Sequence, residues 1–591
     1  MNKYGIDIDI DKWATLVAGA LLFVVCPFLF PKLGEQQNSY VQILFFSVVL
    51  CCGLVYKVWY PKLGWLTFRL LDASIVCGVV LLMIHLFVIK PVSLSVWWWL
   101  DLINILGLYW FVRLHEKRDF KLLMALFVVG GMCQCSYACI QQIELCSSLH
   151  SAFPMTGSFM NPAPFAGYLS ALGSVLVAAF CYSTPKSLKA YSYLSIVVLF
   201  AIVMFALNSR TAWLSFLFVG VIIVYDCYLS GKNWRCRFLF TICLLMGFIF
   251  LLYYLYYLRE VSANGRLFIW RNTLEMIRDN TLSGVGIENF KSSFPYYQAK
   301  YYAHYSGGIE KYYDGNTFFV FNDFLRLEAE LGCVLGILVL TPLFIVLCKS
   351  RKKSVADAIP LYGIINLLIF SCFSYPLSIF TLQVLFIFMI ASMGHCSISL
   401  FRWRYCSYIK YAVSCSVVLL CCTSIKGIQV ISNWRQIMGK PQLNMKEVYC
   451  DKDYCYFQDN LLYTLSYYKA LRKHNNKEKA LELLNNALKR IPVAGLYLLR
   501  AELYMEMKEG TKAEQDLRFV IRLSPTLLEP VYRLAQLYVM TNRQSEALFL
   551  LEDKLSAPLY KRDLSSRSIL FDMHQLYEQL KKGITPSVAL P

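Results

Sequence analysis

Long apolar runs alternate with short polar connections along most of the chain. Runs of about 20 residues, each enough to cross a hydrocarbon layer as a helix, fall at roughly 13–30, 40–59, 71–89, 95–112, 120–140, 163–183, 191–208, 211–229, 238–257, 327–347, 359–376, 378–399 and 408–425. The pattern predicts an all-α, polytopic membrane protein of about 13 transmembrane helices. The first run has no small-residue cleavage site and further spans follow it, so it reads as a retained helix. Two segments depart from the pattern. A polar, tyrosine-rich loop at about 258–326 holds Arg259, Arg266, Arg271 and Arg278, with Tyr296, Tyr297, Tyr301, Tyr302, Tyr305, Tyr312 and Tyr313. A second polar segment begins near Ile428 and runs to the end of the chain.

Within that second segment a helical repeat is visible. Ala480, Ala513 and Ala547 recur in KALELL, KAEQDL and EALFLL, and Ala501 and Ala535 in LRAELY and RLAQLY. Pro492 and Pro525 each follow a helix pair. A period of about 34 residues, with small side chains where paired helices touch, resembles the tetratricopeptide pattern. The expected organisation is a membrane domain at 1–427, a linker at 428–459 and helical repeats at 460–591. Such arrays bind a protein partner or brace a neighbouring domain.

Composition agrees with the spans. Hydrophobic residues make up 58% of the chain and mean hydropathy is +0.49. The formal charge of +19 invites a nucleic-acid reading, but its distribution argues against one. Lys and Arg cluster in alternate short loops: Lys57, Lys62 and Arg69; Arg113, Lys117, Arg118 and Lys121; Lys186 and Lys189; Lys232, Arg235 and Arg237; Lys349, Arg351, Lys352 and Lys353; Arg402, Arg404 and Lys410. The loop from Gln142 to Pro162 has none. By the positive-inside rule the rich loops are cytoplasmic. The expected topology has a cytoplasmic N-terminus, with the large loop and the C-terminal domain outside, in the periplasm of a bacterial inner membrane. No nucleic acid is expected as a partner.

Most of the 22 cysteines lie in apolar runs, as small buried side chains. Cys450 and Cys455 stand apart, either closing a small loop or remaining two thiols. No histidine is spaced for zinc beside them. Walker, Rossmann and HExxH signatures are missing, and no metal or other cofactor is expected. The acidic run Ile6 to Lys12 reads as a short cytoplasmic tail.

Three blocks and the end of the loop carry candidate chemistry. In TGSFMNPAPFAGYLSAL, Pro162 and Pro164 open a helix, and Asn161 and Gly167 either place backbone amides near a ligand or serve a proline-rich helix start. In LNSRTAWLSF, Arg210 stands between two apolar runs. Arginine costs about 2.5–3.5 kcal/mol at a helix centre in the bilayer, and less near the interface. Either it snorkels to headgroups or its guanidinium grips a phosphate through two parallel hydrogen bonds. In NGRLFIWRNTLEMIRDNTLSGVGIENF, Leu267, Trp270, Leu274 and Ile277 share one face of a helix lying on the membrane surface. Arg271, Glu275 and Arg278 share another face, and Arg266 precedes that row. Gly284 and Gly286 lack the spacing of a phosphate loop. Finally Asn322, Asp323, Arg326, Glu328 and Glu330 cluster where the next span begins.

In this order, GSFMNPAPFAGYL, NSRTAWL, GRLFIWRNTLEMIRDNTLSGVGIENF and NDFLRLEAELG resemble the O-antigen ligase and polymerase superfamily of bacterial membrane glycosyltransferases. Some members of that superfamily carry C-terminal tetratricopeptide repeats. The resemblance implies an all-helical enzyme that moves a glycan from an undecaprenyl-diphosphate carrier to an acceptor hydroxyl on a lipid, a glycan or a protein, without metal. It implies that Arg210 and Arg266 hold the diphosphate. From the residues themselves, Asn161, Asn322, Arg326 and Arg271 are candidates for the substrate site, and the loop tyrosines, Tyr297 and Tyr301 among them, either stack on sugar rings or pack at the interface. Many members have a histidine just before the asparagine of the last block, to receive the acceptor's proton. Here Phe321 stands there, leaving Asp323 or His304 as substitutes. The alternatives are a non-catalytic membrane scaffold, and a lipid or polysaccharide transporter with a partner-binding repeat domain.

Overall fold

The computed structural model describes residues 10–29, 38–59, 65–115, 117–150, 152–184, 186–229, 231–305, 310, 313–337, 340, 355–393, 398–404, 407–439, 451–556 and 564–583. Lys62, Tyr312, the basic cluster at 349–353 and Cys450 lie outside the described residues.

The membrane region comprises α1 (Ile10–Ala20), α2 (Asn38–Trp59), α3 (Leu70–Ile84), α4 (Val96–Arg113), α5 (Lys117–Gln142), α6 (Pro162–Cys181), α7 (Leu188–Ala206), α8 (Arg210–Val224) and α9 (Trp234–Leu258). The polar loop folds into α10 (Glu260–Asp279), α11 (Phe290–His304) and α12 (Asp323–Leu331). Then come α13 (Val355–Ser371), α14 (Phe380–Met393) and α15 (Ser407–Gly439). Nine described helical segments are long and apolar enough to cross a membrane, fewer than the thirteen spans expected. The expected spans at 359–376 and 378–399 are the shorter apolar helices α13 and α14. The one at 95–112 is α4, made more polar by Asp101, Asn104 and four tryptophans. The one at 327–347 is interrupted: α12 stops at Leu331 and Gly332 turns the chain at φ +78°. From 341 it lies outside the described residues.

The innermost helix is α6, because its sequence is small. Ala166, Gly167, Ser170, Ala171, Gly173 and Ser174 let neighbouring helices approach closely. A Cβ on Gly167 would stand 2.6 Å from the Phe370 ring. Ser170 meets Ser215 of α8 and donates to Asn366 of α13, each at 3.0 Å, and Asn366 in turn donates to Ser174 at 2.9 Å.

One feature breaks the all-α expectation. β1 (Trp65–Arg69) pairs antiparallel with β2 (Ser399–Arg404), Trp65 opposite Arg404 and Phe68 opposite Phe401. Beside this ribbon Arg113 Nε and Nη2 donate to the buried Asp72 at 2.8 and 2.9 Å, and Tyr109 donates to it at 2.5 Å. Lys57 meets Asp11 at 2.6 Å, so the described end of the acidic run pairs with a basic loop. Three basic loops far apart in sequence thus meet at one end of the bundle, as a shared membrane side requires.

The opposite end carries the polar loop and the C-terminal helices. α15 continues past position 428, and its Trp434 is buried against Phe457 and Tyr463. α16 (Asp451–Phe457) follows; Trp97 of α4 donates to the Tyr456 carbonyl at 2.6 Å. Three helix pairs succeed it: α17 (Leu461–Lys473) with α18 (Lys477–Leu488), α19 (Ala494–Glu506) with α20 (Gly510–Leu523), and α21 (Glu529–Met540) with α22 (Gln544–Ser556); α23 (Leu564–Lys581) closes the array. The recurring Ala480, Ala513, Ala547, Ala501 and Ala535 are all buried between these helices. The array docks on the polar loop. Asp314 accepts from the Thr526 amide at 2.8 Å, and Gln298 donates to the Leu523 carbonyl at 2.9 Å.

Candidate functional site

Asn208 sits at φ +52° between α7 and α8, a conformation asparagine tolerates. The turn makes Arg210 the first residue of α8, where a cation opposes the helix dipole. Ser209, the residue before it, makes no side-chain cap, so first-turn amides of α8 have no partner from that side chain. Arg210 Nη1 donates to the Leu255 carbonyl near the end of α9 at 2.6 Å. Arg266 comes from the second turn of α10. Its Nη1 donates to the Phe373 carbonyl after α13 at 2.8 Å, and its guanidinium lies 5.2 Å from the Phe321 ring. Burial, then the charge of Arg210, pushes the Arg266 guanidinium down to about 10. Among the described residues no carboxylate pairs with either arginine. Arg210 and Arg266 are partly buried cations with one carbonyl partner apiece, and Arg259 adds a third positive charge beside Arg210, an arrangement that a bound anion relieves.

Phe321 fixes one wall. It adopts φ +56°, strained for a bulky side chain. Its ring and that of Phe319 pack on Tyr375 at 5.3 and 4.1 Å. The next residue, Asn322, caps α12, its Oδ1 accepting from the Phe324 and Leu325 amides at 3.0 and 3.1 Å. Asp323 is 1% exposed; its Oδ2 accepts from the Leu377 amide at 2.9 Å and its Oδ1 stands 3.4 Å from Arg326 Nε. Burial raises the Asp323 carboxyl's affinity for a proton, and Arg326 opposes the shift. Arg326 also approaches Glu288, at 3.9 Å.

The remaining sequence candidates take other positions. Asn161 caps α6, accepting from the Ala163 amide at 3.0 Å. Arg271 lies over Tyr301 and Tyr305 at 5.0 and 5.3 Å, half-exposed and 3.8 Å from Glu310. Tyr301 is buried against Phe268, and Tyr297 accepts from Asn280 at 3.2 Å. His304 is exposed, its Nδ1 2.8 Å from the Lys300 carbonyl, in an open depression shared with Glu275, Arg278 and Tyr305. The structure thus sets Arg266 over the Phe321 ring and within reach of the charge of Arg210, while His304, Arg271 and Tyr297 make contacts with other residues.

Two glycines hold this arrangement. At Gly284, φ +63°, a Cβ would meet the Glu330 carbonyl oxygen at 2.3 Å; at Gly332, φ +78°, it would meet that of Leu282 at 2.3 Å. The turn after α10 is thereby locked to the end of α12, with Val285 donating to the Ala329 carbonyl at 2.8 Å. Sequence reasoning missed Tyr375 and the Leu255 and Phe373 carbonyls, which have no motif. It also missed Asp101, which a rule about ionisable residues in apolar runs singles out. Among the described residues no group of three or more His, Cys, Asp or Glu is placed to hold a metal ion.

Residues 194–341 match the family model of O-antigen ligases. The matched stretch is about a quarter of the chain and contains Arg210, Arg266 and the residues from Phe321 to Glu330. That stretch is similar to O-antigen ligases. A search of curated proteins finds no match to the chain.

Proposed function

We propose that the protein transfers a glycan from a lipid-diphosphate carrier, of the undecaprenyl-diphosphate type, to an acceptor hydroxyl at the periplasmic face of a bacterial inner membrane. The observation that carries this reading is the set of Arg210 and Arg266: two partly buried guanidiniums, the charge of the first felt by the second, neither with a carboxylate partner among the described residues, at the membrane end of the polar loop. The match to O-antigen ligases over the same stretch supports it.

In the reaction the acceptor oxygen attacks the anomeric carbon. The bond from that carbon to the diphosphate oxygen breaks, and the electron pair leaves with the diphosphate. Negative charge grows on the leaving group, where two preorganised guanidiniums stabilise it more in the transition state than in the ground state. The acceptor's proton goes to Asp323, whose burial makes it a stronger base than an exposed aspartate. Phe321 occupies the place of the histidine seen in many of the proteins this stretch resembles.

The test is transfer by the full chain reconstituted with a lipid-diphosphate-linked glycan. Arg210→Ala and Arg266→Ala are each expected to lower transfer by about 10²–10³-fold, the loss typical of removing one fixed donor from a developing anion. Near-normal transfer by both correctly inserted variants overturns the reading.

A further inference from the structure

A second recess adjoins this site without sharing its arginine pair. A cavity of about 440 Å³ opens where the membrane helices, the polar loop and the C-terminal helices meet. Neither Arg210 nor Arg266 lines it. Arg326 and Leu377 do, and both also touch Asp323. The volume lies within the range of small-molecule sites, about 300–1,000 Å³.

Its charges compensate one another. Lys291 stands 3.4 Å from Glu288 and 4.0 Å from Asp459, and Arg490 lies 3.1 Å from Asp459. With Arg326 these make three cations facing four carboxylates, Glu288, Asp459, Glu330 and Asp101. Such a wall does not favour a free polyanion, which needs a net positive field. Three polar atoms around the same space are buried with no hydrogen-bond partner among the described residues, Asp101 Oδ1, Gln383 Oε1 and Ser378 Oγ. Leaving each unpaired costs about 1–3 kcal/mol. They call for an occupant that offers hydroxyl donors and acceptors together. Trp98 and Phe319 add aromatic surface to the lining, which suits the C–H face of a sugar ring. A neutral polyol meets all three conditions; a nucleotide meets only part of them.

We infer that this cavity is a binding subsite for a neutral saccharide and that the C-terminal helical array completes it. Arg490, from the array, donates to both the carbonyl and the hydroxyl of Ser93 at the rim. The array is then part of the substrate site, over and above any partner it binds. The inference rests on the glycan-transfer reading for the origin of the sugar.

The experiment uses the full chain in nanodiscs and a panel of neutral di- to tetrasaccharides, read by saturation-transfer NMR and equilibrium titration. At least one member is expected to bind. Ser378→Ala removes a hydroxyl that has no partner, so folding is unaffected while binding weakens; Asp101→Leu and Arg490→Ala are expected to weaken it tenfold or more. Arg210→Ala is expected to leave saccharide binding unchanged while lowering transfer by about 10²–10³-fold. No binding across the panel, or binding indifferent to Ser378, Asp101 and Arg490, overturns the inference. If instead Arg210→Ala leaves both transfer and saccharide binding intact, the phosphate clamp fails and the saccharide subsite stands.

Discussion

At the smallest scale the proposed chemistry rests on Arg266, with Arg210 acting on it, and on Asp323. Arg266 owes its lowered proton affinity first to burial and then to Arg210, so the pair is poised for an anion instead of being paired off. Asp323 owes its raised affinity to burial, against the pull of Arg326 and the Leu377 amide. The sign follows. A carboxyl that must be ionised to accept a proton is lost to catalysis as pH falls through its pKa. The acid limb of transfer is therefore expected above the ordinary aspartate value of about 3.9. Asp323→Asn is expected to remove that limb and cut the rate by about 10²–10⁴-fold, measured as kcat against pH. An unchanged profile assigns the proton to another acceptor. The same shift makes the folded state less stable above that pKa than below it, because folding disfavours the ionised form.

At the scale of elements, the site depends on the turn after α10 gripping the end of α12. That grip places Phe321, Asn322 and Asp323 relative to Arg266, and it needs Gly284 and Gly332 at positive φ with bare α-carbons. Gly284→Ala adds both backbone strain and a collision with a carbonyl, neither of which a rotamer change relieves. A loss of about 1–3 kcal/mol of local stability is expected. It would appear as faster hydrogen exchange at Val285 and Gly286 and as weakened transfer. Gly78, with nothing near its Cβ position, is the matched control and is expected to tolerate alanine.

Across the whole molecule the bundle has two chemically distinct ends. The ribbon of β1 and β2, the Asp72–Arg113 pair and the Lys57–Asp11 pair gather basic loops at one end. The polar loop and the helical array dock together at the other through Asp314, Gln298 and Tyr296. An alkaline phosphatase reporter fused after Lys582 is expected to be active outside the cytoplasm, and one fused after Lys232 inactive. The reverse pattern would put the arginine pair on the wrong side for a periplasmic carrier.

The helical class, the apolar runs and the repeat of small residues were readable from sequence, because each depends on local periodicity and on side-chain size. So was Arg210 as a candidate, since an unexplained arginine at a hydrocarbon boundary is costly wherever the chain folds, and so was Arg266, which stands off the charged row of its helix. Asn161 and Asn322 were noticed as well, but which hydrogen bonds they make depends on local backbone angles that the sequence alone left open; both turn out to cap helices. The reach of the Arg210 charge to Arg266, the ribbon joining residues 65–69 to 399–404, and the cavity shared by Asp101, Arg326 and Arg490 were decided only by tertiary structure. Each joins residues far apart in sequence, and no local preference encodes which distant partner closes a contact.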